Sequence, residues 1–190
     1  SISANKIKHI PEGAFDELSF LLSLNLAENE ITRMLPGSFR GLVKVREMDL
    51  TGNKISFIQD DVFEDLPELR VLILSNNRLN NINIASLLNL KYLIRLNLTG
   101  NFLETLPNKL PFLMELYLDE NLLTSLNLSG YGQMTSLSVR GNHLQEVELY
   151  HLENLISLNL SRNPLKSICE RSFELLERLD NLDLVNCNIS

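Results

Sequence analysis

The chain contains no tryptophan, two cysteines, three histidines and six prolines in 190 residues. His9, His143 and His151 are scattered, and none has a serine, cysteine or carboxylate partner placed to build an activated nucleophile. The two cysteines have no histidines near them at ligand spacing, which argues against a zinc-type site. Basic residues are scarce as well: 17 Lys and Arg against 24 Asp and Glu leave a net charge of −7 and an isoelectric point near 5.0. That balance argues against nucleic acid as the main partner, because binding it requires dense Lys and Arg. No apolar run approaches the roughly 20 residues of a membrane-spanning helix. No secretory leader opens the chain, although Ser1 is compatible with one already excised. The glycines do not form a phosphate-cradling loop, since Thr51-Gly52-Asn53, Thr99-Gly100-Asn101 and Arg140-Gly141-Asn142 are copies of one turn. No enzyme activity, metal or cofactor is expected.

What the chain has instead is a recurring asparagine. Asn5, Asn29, Asn53, Asn77, Asn101, Asn121, Asn142 and Asn163 follow one another at steps of 24, 24, 24, 24, 20, 21 and 21 residues, and Cys187 takes the next place after 24 more. A period of that size marks a stacked repeat. Around Asn29 the frame is Leu21-x-x-Leu24-x-Leu26-x-x-Asn29-x-Ile31, and around Asn77 it is Leu69-x-x-Leu72-x-Leu74-x-x-Asn77-x-Leu79. The same frame precedes Asn101, Asn121 and Asn163. Substitutions stay apolar, as in Val45, Met48 and Leu50 before Asn53, or Met134, Leu137 and Val139 before Asn142. This is the leucine-rich repeat pattern. The expected fold is an α/β repeat solenoid, a leucine-rich repeat horseshoe with a parallel β-sheet on its concave face. Its convex segments should be mostly irregular or 3-10, with little true helix. Residues 1–190 should form a single array of eight to nine repeats.

The alternating x-L-x-L-x stretch suits a strand with one buried face. Stacked copies bring such strands about 4.8 Å apart in a parallel sheet. Each leucine buried in the solenoid interior favours folding by roughly 1.5–3 kcal/mol. The asparagine stands where the chain turns off the strand, and its amide can satisfy backbone groups that the sheet leaves without partners. Cys187 is small and weakly polar enough for the same slot. On the other limb, an apolar residue follows five after the asparagine (Ile10, Met34, Ile58, Ile82, Ile168). Ten after it stand Phe15, Phe39, Phe63, Leu87 and Phe173, and thirteen after it Leu18, Leu42, Leu66, Leu90 and Leu176. The phenylalanines are expected to line the inside of the convex wall.

The chain opens and stops inside a repeat, with Ile2 in a core strand place and no cap sequence at either end. That is the expectation for an uncapped segment of a longer array. A disulfide would favour an extracellular setting. Cys187 occupies a ladder place, however, and Cys169 lies on the far limb, so two unpaired thiols are expected. Four N-x-S/T sequons begin at Asn97, Asn127, Asn159 and Asn188. With 22 asparagines, roughly three sequons arise by chance, so they raise the odds of secretion only slightly.

The 24-residue units resemble the "typical" extracellular leucine-rich repeats of Toll-like receptors, neuronal adhesion receptors and matrix proteoglycans. The segments that carry the resemblance are Ile7-x-x-Ile10-Pro11-x-Gly13-Ala14-Phe15-x-x-Leu18 and Leu79-x-x-Ile82. The short units between Asn101 and Asn163 are similar to irregular central repeats in Toll-like receptor ectodomains and secreted arthropod immune proteins. The resemblance implies a non-enzymatic, extracellular, protein-binding role in innate immunity. The alternatives are an adhesion or matrix protein and an intracellular assembly scaffold. The partners it implies are a protein ligand or co-receptor, a microbial ligand, or a second copy bound through a lateral or terminal surface.

Residues between the core leucines face the concave side. There Val71 and Ile73 make an apolar spot beside Arg95 and Tyr117. Glu47 and Asp49 flank it on one side, and Glu115, Asp119 and Glu120 on the other. An apolar anchor with a charged rim is the anatomy of a protein-binding patch. The alternative is ordinary solvated strand residues with two stray aliphatics. A hard cation on Glu115, Asp119 and Glu120 would need six or more oxygens, more than a flat strand surface offers. Glycans on Asn97 and Asn159, which share the face, would obstruct a wide interface.

Overall fold

The computed structural model describes residues 1–87, 89–106, 110–167 and 173–189. Ile168 and Cys169 lie outside them, as does Ser190, the last residue of the Asn188 sequon. Eight three-residue strands stack in chain order into one parallel sheet. They are β1 (Ser23–Asn25), β2 (Glu47–Asp49), β3 (Val71–Ile73), β4 (Arg95–Asn97), β5 (Glu115–Tyr117), β6 (Ser136–Ser138), β7 (Ser157–Asn159) and β8 (Asn181–Asp183). The register is unbroken: Leu24, Met48, Leu72, Leu96, Leu116, Leu137, Leu158 and Leu182 pair in a row. The other limb is made mostly of turns, with a 3-10 segment at Ile84–Ser86. The solenoid, the parallel sheet and the scarcity of helix agree with the reading of the repeat.

Each ladder asparagine closes the gap between two repeats. The Asn77 amide donates to the carbonyls of Leu74 in its own turn (3.1 Å) and Leu50 in the preceding one (3.0 Å). Its oxygen accepts the Ile55 N–H at 3.0 Å. Asn29, Asn53, Asn101, Asn121, Asn142 and Asn163 repeat the arrangement. The residue before each is left-handed, and its N–H donates to the next repeat, as Glu28 does to Thr51 (2.7 Å) and Gly52 to Ser75 (2.9 Å). Cys187 is buried as a free thiol, and its Sγ donates to the Leu160 carbonyl at 3.2 Å. It has no second atom with which to accept an N–H.

Phe15, Phe39 and Phe63 stack with centroids 6.5 and 6.0 Å apart, forming the inner wall opposite the sheet. Ile2 departs from its expected core place. It is 40 % exposed, because a repeat covers it on one side only. Its unit still joins the ladder through Ile2 N–H to Asn25 and Ala4 N–H to Ala27, both 2.9 Å, without forming a strand. At the other end Leu182 is 44 % exposed where Leu158 is buried.

Candidate binding surface on the concave face

On the solvent side of the sheet, register places Glu47, Val71, Arg95 and Glu115 in one row. Asp49, Ile73, Asn97 and Tyr117 form a parallel row. The residues expected to form a patch are therefore neighbours. Val71 and Ile73 are half-buried, and Glu47 and Arg95 are exposed.

The charges are less free than their sequence positions suggest. Arg95 donates to Glu115 through Nε (2.6 Å) and Nη2 (3.0 Å), a two-bond geometry that fixes both side chains. The Tyr117 hydroxyl donates to the same carboxylate at 3.1 Å. The Arg95 guanidinium, helped by Tyr117, holds the Glu115 carboxyl below the usual carboxylate range against the opposing effect of burial. Burial, joined by the Glu115 hydrogen bond, raises the Tyr117 phenol. Asp49 accepts the Thr51 N–H (2.9 Å) and hydroxyl (2.6 Å). Asp119 accepts the Ser138 hydroxyl (2.5 Å) and the Arg140 N–H (2.8 Å). These two carboxylates secure turns. Glu120 lies beyond the strand and pairs with Arg140 at 3.4 Å. Glu47 is the acidic side chain of the patch that enters no hydrogen bond or ion pair among the described residues.

One column carries a structural rule. Where the chain leaves the sheet, the last strand residue accepts the N–H two residues on: Asn25 from Ala27, Asp49 from Thr51, Asn97 from Thr99, Asn159 from Ser161, Asp183 from Val185, all at 2.9–3.0 Å. In the Ser138 repeat, Asp119 of the preceding repeat serves that N–H instead. Ile73 and Tyr117 break the rule, and their side chains give up the turn bond for apolar surface. Sequence reading missed this because it treated the column as mere surface, although the run of Asn and Asp at one register position was visible.

The sequon asparagines fall in different places. Asn97 and Asn159 are half-buried on the concave face, with Oδ1 engaged in the turn. Asn127 is exposed and accepts the Ser129 N–H (3.1 Å) and hydroxyl (2.7 Å). Asn188 is exposed at the last described turn. The reading also missed a set of exposed apolar side chains at the edge of the sheet, Tyr92, Ile94, Phe112 and Met114. They stand just before the strands, outside both the core frame and the concave columns. Among the described residues no group of side chains could hold a metal ion, and no helix is long and apolar enough to cross a membrane.

A parallel-sheet solenoid with an asparagine ladder and a polar strand face is a scaffold for binding. The leucine rich repeat family profile matches residues 1–55, 44–103 and 133–189, and the chain belongs to that family, a non-enzymatic protein-interaction fold. Among curated proteins it is similar to osteomodulin of Bos taurus, at 31 % identity over 100 % of this chain and 47 % of that protein. It is also similar to leucine-rich repeat-containing G-protein coupled receptor 5 of Rattus norvegicus, at 38 % identity over 47 % of this chain and 11 % of the receptor. Among solved structures, the Toll–Spatzle complex of Drosophila matches with a TM-score of 0.86 and 30 % identity, over 96 % of this chain and 26 % of that one. The leucine-rich repeat domain of APL1B matches with a TM-score of 0.74 and 24 % identity, over 95 % of this chain and 62 % of that one, a likeness of fold. The chain thus spans about half the length of osteomodulin and about a quarter of the Toll chain.

Proposed function

We propose that this chain is the protein-binding module of an extracellular receptor or secreted recognition factor of innate immunity. Its ligand would seat on Val71, Ile73 and Tyr117, oriented by Glu47 and the fixed Arg95–Glu115 pair. The observation that carries the site is the break in the turn rule. Ile73 and Tyr117 flank Asn97 in register, and both forgo a backbone-capping side chain for apolar contact area. Buried hot spots of interfaces are built from such aromatic anchors and arginine. The likeness to Toll over nearly the whole chain supports the receptor reading. Similarity to osteomodulin along the full chain supports a second reading, a matrix leucine-rich repeat protein using the same face.

Asn97 decides whether the face is open, because a glycan between Ile73 and Tyr117 would cover the patch. Secretion from a eukaryotic host followed by intact-mass and peptide mapping should find Asn127 modified and Asn97 bare. Full occupancy at Asn97 would remove the concave site. With Asn97 bare, a panel of secreted protein ligands measured by interferometry should include one whose affinity drops about tenfold in Ile73→Glu and in Tyr117→Ser. Ligands that bind both variants as well as the parent would place recognition elsewhere.

A further inference from the structure

A second surface lies at the edge of the sheet where the chain enters the strands. The residues immediately before successive strands are Leu22, Arg46, Arg70, Ile94 and Met114. Their backbones are linked in a row: Arg46 N–H to Leu22, Arg70 to Arg46, Ile94 to Arg70 and Met114 to Ile94, at 2.8–2.9 Å. Beside Ile94 and Met114, two residues earlier in each repeat, stand Tyr92 and Phe112. Tyr92 is 62 % and Phe112 64 % exposed, with Ile94 and Met114 near 40 %. These are large apolar side chains on adjacent repeats, not single scattered ones, and such clustering marks an interaction site.

The shape agrees. Arg70, Lys91, Tyr92, Ile94 and Phe112 line a groove of about 560 Å³. A second depression bounded by Arg46, Glu68, Arg70 and Tyr92 adjoins it. On the far side of Phe112, a cleft of about 150 Å³ runs between Leu87, Leu90 and Leu110. It opens where the repeat length falls from 24 to 20 residues. The groove shares Arg70 and Tyr92 with the second depression and Lys91 and Phe112 with the cleft, so the three adjoin in sequence along the edge.

Charge selects the occupant. Arg46 is paired with Glu68 at 3.2 Å, but Arg70 and Lys91 form no ion pair among the described residues. Two cations without an ion-pair partner among the described residues thus flank an aromatic and aliphatic groove on a chain of net charge −7. We propose that this edge binds an acidic segment of a partner protein, whose apolar side chains enter the groove while its carboxylates meet Arg70 and Lys91. A two-fold contact between copies of this chain centred on the groove would set these cations against their own counterparts. Single-stranded nucleic acid could stack on Tyr92 and Phe112, but it needs a basic track longer than two cations, and Ile94 and Met114 offer it nothing. The edge is distinct from the concave patch, so either site can fail without the other.

The test uses the full chain with labelled Ile and Met methyls. The probes are a short synthetic peptide alternating Asp and Glu with Phe and Leu, the same peptide with Lys replacing the acids, and an oligouridylate. The acidic peptide should shift the Ile94 and Met114 methyls and leave Ile73 unmoved. Arg70→Glu with Lys91→Glu, surface changes that leave the core intact, should weaken it about tenfold, as should Tyr92→Ser with Phe112→Ser. Ile73→Glu should leave it within about twofold. The proposal is overturned if the acidic peptide leaves those methyls unmoved or if the basic peptide binds as well. It is equally overturned if only the oligouridylate shifts them, or if they broaden with protein concentration alone, which would assign the edge to a second copy.

Discussion

The long repeats up to Asn101 and the short ones from Asn101 to Asn163 share a sheet and a ladder but not a wall. In the first three long units a phenylalanine stands six residues before the first core residue of the following strand segment, Phe15 before Leu21, Phe39 before Val45 and Phe63 before Leu69, and in the last one Leu87 takes that place before Leu93. In the short units the same place holds Leu128 before Met134 and Leu149 before Leu155, both buried. Tyr131, also buried, stands in the column of Leu42, Leu66 and Leu90. The turn from that column into the strand is kept as well: Leu69 N–H donates to Leu66 at 3.2 Å and Met134 N–H to Tyr131 at 2.9 Å. Shortening therefore removes residues between the apolar position after the asparagine and the wall residue. Ile58 and Phe63 are five apart, whereas Leu126 and Leu128 are two apart. What varies is the outer bulge of the wall, and the inner columns persist, with leucine in the phenylalanine place and Tyr131 in a leucine place.

The wall gives the largest expected effect. Phe39 is fully buried between two stacked partners. Phe39→Ala should cost about 3–5 kcal/mol, read from the urea midpoint, through lost burial and a cavity that the stack cannot close. The reverse change in a short unit, Leu149→Phe, should destabilise by about 1–3 kcal/mol, because Leu149 is already buried and a larger ring there must displace its neighbours. A neutral or stabilising Leu149→Phe would show that the two walls differ in composition only and would break the comparison.

The ladder should be indifferent to repeat length. Asn77 in a long unit and Asn142 in a short one make matching bonds. Asn142 donates to Leu118 and Val139 at 2.9 Å each and accepts from Leu123 at 3.0 Å. Alanine at either leaves a buried N–H and two buried carbonyls short of a partner, at about 2–3 kcal/mol. Thermal or urea unfolding should rank the two variants as equals. A clear difference between them would mean that the ladder carries load unevenly and that shortening reaches the sheet.

The sheet, its register and the ladder were legible because each depends on a local rule: period-two alternation for the strands and one buried amide for the turn. The short walls were not, because counting forward from Asn121 and Asn142 runs past the missing residues. Counting back from Met134 and Leu155 recovers Leu128, Tyr131, Leu149 and Leu152. The members of the concave patch were also legible, since alternation assigns Val71, Ile73, Arg95 and Tyr117 to one face. Their energetics were not. That Asp49 and Asp119 serve turns, and that Arg95 is bound to Glu115, depends on partners 2, 19, 20 and 21 residues away. The edge formed by Tyr92, Ile94, Phe112 and Met114 escaped notice because no repeat-pattern rule covers the position before a strand.

The smallest expected effect sits at the junction of the two regions. Arg95 belongs to the last long unit and Glu115 to the first short one, so their pair bridges the change of repeat length. Bonding to Arg95 keeps the folded-state Glu115 carboxyl below its unfolded value. The pair's contribution is therefore present above the ordinary carboxylate range and is lost as pH falls through the lowered folded value. Arg95 is nearly half exposed, so solvent screening limits that contribution to about 1 kcal/mol or less. Glu115→Gln should lower stability by no more than this at neutral pH, and the difference from the parent should vanish at acid pH. A loss of several kcal/mol, or one that persists when Glu115 is protonated, would mean that the junction depends on this bridge and that the short units are not docked by sheet and ladder alone.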